Sequence, residues 1–428
     1  MPKIAVIGAG IAGLATAEML QRYSSNTVVL VESTQQFGAG ASMDQHGWFH
    51  AGSLYSLQGN HLSVQAAVDN LKIITNHYRP FLDLPEAGPA TTGNKGRWFS
   101  NRPIHYVFPD ANALIAAHSE GFLQPELHNF LSLAPTIATA EADLGRLRGL
   151  DRELGGLKVV GFDSPMHTHL MLSDLAGSFL AQGGEVQFSC RYIGHRRNGD
   201  QIELLLADGR SLSVDKLIIT SGSEIARSQL QLGNLSVRKS PIMVIIPPLC
   251  PDNQVVVEDA RNPSLSHIVH SYDDKLYSVV SGGYTADAKD EAGQMAAAKA
   301  LRDTVARYFP SRFRECEAQV FFGTKVDMPV DKSSRNYSPA IVEIEKDVLI
   351  AVPGKFSFAF LLARELSVRV MSDHSSIPAP RCSPIGMDPL LIARPRHEAV
   401  ARALYGAGSM SRGAHSQNQL LKEMYYVR

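Results

Sequence analysis

The residues Gly8-Ala9-Gly10-Ile11-Ala12-Gly13 follow an apolar run, Ile4–Ile7, and open a segment with helical apolar spacing. In that setting each glycine has a task. Gly8 permits a tight turn, Gly10 lets the backbone approach a pyrophosphate, and Gly13 allows the helix to lie close to the strand. The start of the helix then offers free N–H groups and the positive end of its dipole to phosphate oxygens. Glu32 ends the next apolar run, 19 residues after Gly13. A carboxylate there accepts hydrogen bonds from ribose hydroxyls and repels a 2′-phosphate, which disfavours NADP. The spacing alone leaves FAD and NAD both open. Other chemistries find little support: His167 and His169 stand two apart without a third ligand, so no metal site is expected. No GxSxG, Walker A or HExxH motif occurs.

The elements that must position this turn read as a parallel α/β sheet. KIAVI, the glycine turn, LATAEMLQRY and VVLVE give strand, turn, helix and strand. Residues 37–56, rich in Gly, Ser and His, read as a loop, and roughly 61–82 as a helix. RWFSNRPIHYVFP has aromatics at strand spacing, and 110–150 look mainly helical. A strand, a helix and a second strand follow over 159–192, then a hairpin around Asp208-Gly209 and a buried strand ending at Gly222. Between about 225 and 325, PIMVIIPPL, HIVHSY and LYSVVSGGY suggest an antiparallel sheet. DVLIAVPGKFSFAFLLARELSVRVM returns to strand, turn and helix. The expected fold is therefore α/β (α+β overall): a Rossmann-like nucleotide-binding domain in separated segments, with an inserted, mainly antiparallel β substrate domain. The boundaries expected are 1–80, 150–224 and 326–372 for the first, 81–149 and 225–325 for the second, and 373–428 for a C-terminal helical extension without an assigned role.

Composition narrows the partners. The 428 residues are 44% hydrophobic and 19% charged, enough for a large core. With 41 basic and 42 acidic residues the net charge is −1, which offers no basic surface for nucleic acid. Four scattered cysteines without a CxxC motif suit a reducing compartment, and a cytoplasmic location is expected. No apolar run reaches the 18 or more residues of a membrane span, and the start of the chain reads as a strand rather than a signal peptide.

The order of segments goes further. GAGIAG, the loop with Gly38, Gly40, Ala41 and Ser42, GGEVQFSCRY, LIITSG and VPGKFSFAF together resemble the FAD-dependent oxidoreductases of the D-amino-acid oxidase family, over about 1–372. That family includes sarcosine and glycine oxidases and the glycerol-3-phosphate and L-2-hydroxyglutarate dehydrogenases. The resemblance implies FAD held by Gly8, Ala9, Gly10, Ile11, Ala12, Gly13, Glu32, Ser33, Gly40, Ala41, Ser42, Tyr192 (a backbone contact to the adenine), Gly222, Gly354, Lys355, Phe356 and Ser357.

Trp48-Phe49-His50-Ala51-Gly52 is similar to the segment that runs past the flavin ring in this family. His50 is the implied catalytic histidine: it can hydrogen-bond the flavin, assist proton removal or carry an 8α-histidyl link, with His46 a weaker candidate. Lys355 is the second implied catalytic residue, since a similar Gly-Phe-Lys-Phe-Ser segment in sarcosine oxidases carries a lysine for the substrate carboxylate. Lys325, Arg335 and Tyr337 lie near the family's Thr-x-Asp-x-x-Pro stretch, of which Asp327 and Pro329 remain. His50, Tyr55, Tyr284 and Lys355 are the implied substrate contacts; for Tyr284, as for His267 and His270, strand parity leaves the side open. The implied activity is hydride removal from a C–N or C–O bond of a small amino acid, amine or 2-hydroxy acid to flavin N5. The substrate is expected to be anionic and the electron acceptor O2 or a quinone or other carrier. Two alternatives stay open: a tailoring enzyme for a bulkier biosynthetic intermediate, and a non-redox flavin-binding protein.

Overall fold

The computed structural model describes residues 2–23, 25–57, 60–82, 98–100, 102, 104–108, 157–160, 163–227, 235–258, 264–328, 337–371, 378, 380 and 387–408. The helical reading of 110–150, Pro329 and Arg335 lie outside them.

Lys3–Ile7 is the centre of a six-stranded sheet. In order across it run Ala340–Glu345, Val348–Val352, Lys216–Ile219, Lys3–Ile7, Thr27–Val31 and Glu185–Gln187. All neighbours are parallel except the first two, which form a hairpin. The apolar runs are buried on both faces because both faces are covered. Ile4, Val6, Val28 and Leu30 point into one core with the helices Ile11–Gln21, Thr168–Ala181 and Ala359–Val370. Their neighbours Ala5, Ile7, Val29 and Val31 point the other way, onto Ile202, Leu204, Leu206 and Val214. Those belong to a three-stranded antiparallel sheet, Tyr192–Asn198, Gln201–Leu206 and Ser211–Val214, whose last two strands are the hairpin read around Asp208-Gly209.

The first helix is buried along its whole length, Glu18 included. The Glu18 carboxylate accepts two hydrogen bonds from the Arg22 guanidinium (2.8 and 2.9 Å), one from Tyr78 Oη (2.9 Å) and one from Ser178 Oγ (2.7 Å). A buried charge needs such a full set of partners, and here it ties three helical segments together.

The larger sheet is antiparallel over most of its width. Ser236–Ile246 pairs along one edge with the whole of Glu317–Asp327. Its other edge meets Ala286–Asp287 and Lys275–Ser281, after which come Leu265–Tyr272, Asn253–Val256, Ile104–Phe108 and Leu157–Val160. The boundary drawn at 150 thus falls ahead of a strand that pairs with Ile104–Phe108 in this sheet. Helix Glu291–Tyr308 packs Leu301, Val305 and Tyr308 on one face. Helix Arg396–Gly408 packs Val400 and Ala401 on the other, against Ile242, Val244, Tyr277 and Phe321. The segment before it, whose role the sequence left blank, bonds the nucleotide side: Phe37 N–H donates to Leu391 O, Ala393 N–H to Phe37 O and Arg396 N–H to Met43 O. The C-terminal extension therefore straps the 37–43 loop to the larger sheet.

Two histidines of this sheet carry a stability consequence. His267 is fully buried, bonded through Nδ1 to Asp252 O (2.9 Å) and through Nε2 to Ser278 Oγ (2.7 Å). His270 Nε2 bonds His46 O at 3.0 Å. Burial pulls both imidazoles down to about 4. Because each folded pKa lies below that of the unfolded chain, unfolding takes up protons once the pH drops below about 6.5. The stability these groups give is complete above that pH and is lost as the pH falls towards 4. Denaturant midpoints should be flat from pH 8 to 7 and fall steadily below 6.5, with these two rings contributing an uptake approaching about two protons near pH 5 and other buried imidazoles adding to it. An unchanged midpoint at pH 5 would show that these rings are not buried as described.

Candidate active site

The glycine turn is built as its spacing requires. Gly8 has φ +98°, and its N–H donates to Val31 O at 2.8 Å. A Cβ on Gly13 would lie 1.8 Å from Gly8 O and 2.6 Å from Thr220 Oγ1. Thr220 closes the turn from the third strand: its N–H and its hydroxyl both donate to Ile7 O, at 2.9 and 2.7 Å. Gly10 is the N-cap of the first helix and brings no side-chain cap. Ser42 supplies one from the 38–42 loop, its Oγ accepting from Ile11 N–H at 2.9 Å. Glu32 is buried and accepts from Ala9 N–H (2.7 Å), Thr34 N–H (2.8 Å) and the exposed Ser33 hydroxyl (3.1 Å). Gly8, Ala9, Gly10, Ile11, Ala12, Gly13, Glu32, Ser42 and Gly222 thus surround one turn, with Gly222 opening the short 3-10 helix Gly222–Arg227 beside it. Gly40 is exposed with no heavy atom within 4 Å of an added Cβ, and Ala41 follows it half-buried. Tyr192 begins a strand of the three-stranded sheet, its hydroxyl 2.6 Å from His195 Nδ1.

A second cluster lies where the larger sheet meets this domain. The 46–52 segment, read as plain loop, contains a two-residue strand, Trp48–Phe49, paired with Ser164–Pro165. His50 sits between aromatic rings, 4.2 Å from Trp48 and 5.3 Å from Tyr55, centroid to centroid. Its side chain keeps 16% of its surface exposed, so a ligand can still reach it. Tyr55 packs with Phe358 (5.9 Å), and both belong to one buried cluster with Tyr337. Lys355 follows Gly354, whose φ of +74° turns the chain from strand Val348–Val352 into the 3-10 helix Phe356–Phe358. Its ammonium rests 3.8 Å above the centre of the Tyr337 ring. Tyr337 Oη in turn accepts from Arg238, which is paired with Asp327 at 2.7 Å. The structure therefore brings His50, Tyr55 and Lys355 to one region. Tyr284 is elsewhere: its hydroxyl bonds Thr304 Oγ1 at 2.6 Å, on the helix Glu291–Tyr308.

The electrostatics of this region favour neutral imidazoles. Burial lowers the His50 pKa; Asp163 opposes the shift, and Lys355 and Lys325 add to it. Burial drives His46 well below its usual range, helped by His50, Lys325 and His270. Tyr55 is pushed well up by burial and by Asp163 and stays a neutral hydrogen-bond donor. Strand alternation puts Lys325 on the face of Glu317–Asp327 shared with Gly323, where an added Cβ would meet Asp44 O at 2.5 Å.

These features fit a flavin dinucleotide. Gly8, Gly10 and Gly13 form a cradle without side chains, and a Cβ on Gly10 would meet only Ser42 Oγ, at 3.0 Å. Buried polar atoms without a hydrogen-bond partner gather in the second cluster: His46 Nε2, His50 Nδ1, Tyr55 Oη and Ser357 Oγ. Such atoms are costly unless a ligand or water satisfies them. One buried carboxylate beside His50 escaped the sequence reading. Asp163, buried, accepts from Trp48 Nε1–H (3.0 Å), Ala51 N–H (2.7 Å) and Tyr106 Oη–H (2.6 Å). Its signal was a lone carboxylate closing the apolar run Val159–Phe162.

The family profile described as FAD dependent oxidoreductase (DAO) matches residues 3–364. The chain belongs to that family. It is an FAD-dependent oxidoreductase, and the expected α/β fold with a Rossmann-like FAD-binding part stands. No curated protein is close enough in sequence to count as a match. Solved structures share the fold over 89–100% of their own length. L-α-glycerophosphate oxidase of Mycoplasma pneumoniae, with FAD bound, aligns at a TM-score of 0.64 and 16% identity, covering 89% of this chain and 99% of its own. Glycine oxidase of Geobacillus kaustophilus aligns at 0.60 and 13%, covering 90% and 100%. An FAD dependent oxidoreductase of Pseudomonas aeruginosa aligns at 0.60 and 18%, covering 94% and 98%. Among the described residues, no helix is long and apolar enough to cross a membrane.

Proposed function

We propose that this flavoprotein oxidises a small substrate that carries a carboxylate beside the reacting carbon, an amino acid, N-methyl amino acid or 2-hydroxy acid. The observation that carries the reading is the convergence of Lys355, His50 and Tyr55 beside the unpartnered buried atoms. FAD, when bound, would supply the acceptor for the hydride removed from the substrate carbon. Lys355 anchors the carboxylate, since a desolvated anion needs a cationic partner. Neutral His50 takes the proton from the substrate's amino or hydroxyl group as the hydride departs. Tyr55, held as a neutral phenol, donates a hydrogen bond. Trp48, Tyr55 and Phe358 line the region with apolar surface that keeps water from the reacting bond. Two of the structural neighbours, a glycine oxidase and an iminodiacetate oxidase, are named for carboxylate substrates.

An anaerobic screen of amino acids, N-methyl amino acids and 2-hydroxy acids tests the reading by bleaching of the flavin absorbance. At least one carboxylate compound should bleach it, and the amine or alcohol lacking that carboxylate should not. Bleaching only by uncharged or much bulkier compounds would replace this reading with that of a tailoring enzyme. A flavin that no compound reduces would favour a non-redox role.

A further inference from the structure

We propose that Asp163 is a positioning residue for catalysis: its buried carboxylate fixes His50 and supplies the negative charge that stabilises His50 once it has accepted the substrate proton. The inference rests on the reading of His50 as proton acceptor and goes beyond it in naming the group through which His50 is set.

The geometry is specific. Asp163 is 1% exposed and stands immediately before the strand Ser164–Pro165 that pairs with Trp48–Phe49. Two of its three donors bracket His50 in the chain. Trp48 lies two residues before it and Ala51 one after, while Tyr106 reaches in from strand Ile104–Phe108 of the larger sheet. The carboxylate thus holds both ends of the four-residue span Trp48–Ala51 that carries the imidazole and ties that span to the substrate-side sheet. His50 Nδ1 lies 3.8 Å from Asp163 Oδ2, within ion-pair range but too far for a hydrogen bond, and is itself buried without a partner. A small closing movement would give Nδ1 the acceptor it lacks. A proton on Nδ1, facing the carboxylate, leaves the lone pair on Nε2, the tautomer a proton acceptor needs.

In the step itself, the substrate N–H or O–H bond breaks and its proton moves to His50. The bonding pair remains on the heteroatom, and the hydride leaves the adjacent carbon for FAD. His50 then carries a positive charge in a region that already holds Lys355 and Lys325, with His46 and Tyr55 also against it. Of the groups acting on His50, Asp163 is the one that favours this charge and the two lysines oppose it.

The test uses the FAD-loaded enzyme and four variants: Asp163→Asn, Tyr106→Phe, His50→Gln and the double variant Asp163→Asn/His50→Gln. The His50 titration midpoint is read by NMR on ring-13C-histidine protein, with the His50→Gln spectrum assigning the peak. The rate of flavin reduction is read by stopped flow across pH. Asp163→Asn should lower the His50 midpoint by about one pH unit. It should slow flavin reduction about tenfold and move the acid limb of the rate profile the same way, with FAD retained. In the His50→Gln background the same substitution should cost less than about twofold, because a residue that acts through His50 has nothing left to act on. Equal losses in both backgrounds would make Asp163 a structural residue and overturn the proposal, as would an unmoved midpoint. Should Asp163→Asn fail to fold, Tyr106→Phe decides. It returns an acceptor site on Oδ2 to His50 and should raise the midpoint, and a lowered one counts against the proposal. A His50→Gln enzyme that reduces its flavin at the wild-type rate would remove the underlying reading of His50, whatever the midpoints do.

Discussion

Gly13→Val should yield a protein that retains no FAD and has lost the packing of its first helix, whereas Gly10→Val should yield a folded protein that retains none. The two differ because their missing side chains face different things. At Gly13 a Cβ would sit 1.8 Å from Gly8 O, a backbone atom that cannot swing away. Gly8 is fixed by its bond to Val31 and by its positive φ, and Thr220 blocks the remaining direction with its two bonds to Ile7. Nor can the helix shift outward, since every residue from Ile11 to Gln21 is buried against other elements. The clash must therefore open the turn, an overpacking well above the usual ~1–3 kcal/mol of an added methylene group. At Gly10 the only obstacle is Ser42 Oγ, 3.0 Å away at the end of a small side chain. The protein can accept a side chain there, but it then fills the space in which the backbone must approach the pyrophosphate. Flavin absorbance per chain, circular dichroism and thermal melting separate the cases. Gly40→Ala, with open space around it, serves as the control and should stay yellow. A Gly13→Val protein with one FAD per chain would overturn the account of this turn.

The nucleotide side was legible because its signals are local. A strand, three glycines, a helix and an acid lie within 32 residues, and the partner that closes the turn, Thr220, ends an apolar run that reads as a buried strand on its own. Of the long antiparallel pair 236–246 with 317–327, only the first strand was read, through PIMVIIPPL, and neither its partner nor the register was. What escaped notice depends on residues distant in sequence. Asp163 draws its donors from positions 57 and more residues away, so nothing near it in the chain marks it as more than the end of a strand. Glu18 has Arg22 four residues on, but its other partners, Tyr78 and Ser178, stand 60 and 160 residues away. Tyr284, read as a strand residue, lies instead between the strands Lys275–Ser281 and Ala286–Asp287, so parity does not reach it, and its hydroxyl goes to Thr304 on the helix that follows. The strap at 387–396 is held by main-chain bonds to Phe37 and Met43, and a backbone bond leaves no trace in side-chain pattern.

Lys355→Met should leave FAD bound and lower kcat/KM for the best carboxylate substrate by ~10²-fold or more, a loss of ~2.7 kcal/mol. Methionine keeps most of the length and apolar surface of the lysine stem, so contact with Tyr337 persists while the charge goes. The Tyr337 ring is buried and held at its hydroxyl by Arg238, so the ammonium 3.8 Å above it rests on a fixed support. A cation placed in advance over a rigid ring loses little entropy on meeting a carboxylate, and fixing the carboxylate holds the reacting C–H bond in place. The matching amide presents no charge to be neutralised and should lose far less, which makes the ratio of acid to amide the diagnostic quantity. Lys355→Arg should recover part of the loss, because the charge returns on a group of different shape. Removing the ammonium also relieves one of the positive charges that depress His50. The acid limb of the pH profile, set by protonation of His50, should therefore move to higher pH in Lys355→Met, opposite to the shift expected for Asp163→Asn. Equal losses for acid and amide would assign Lys355 to the flavin rather than to the carboxylate, and no loss for either would place its ammonium outside the site.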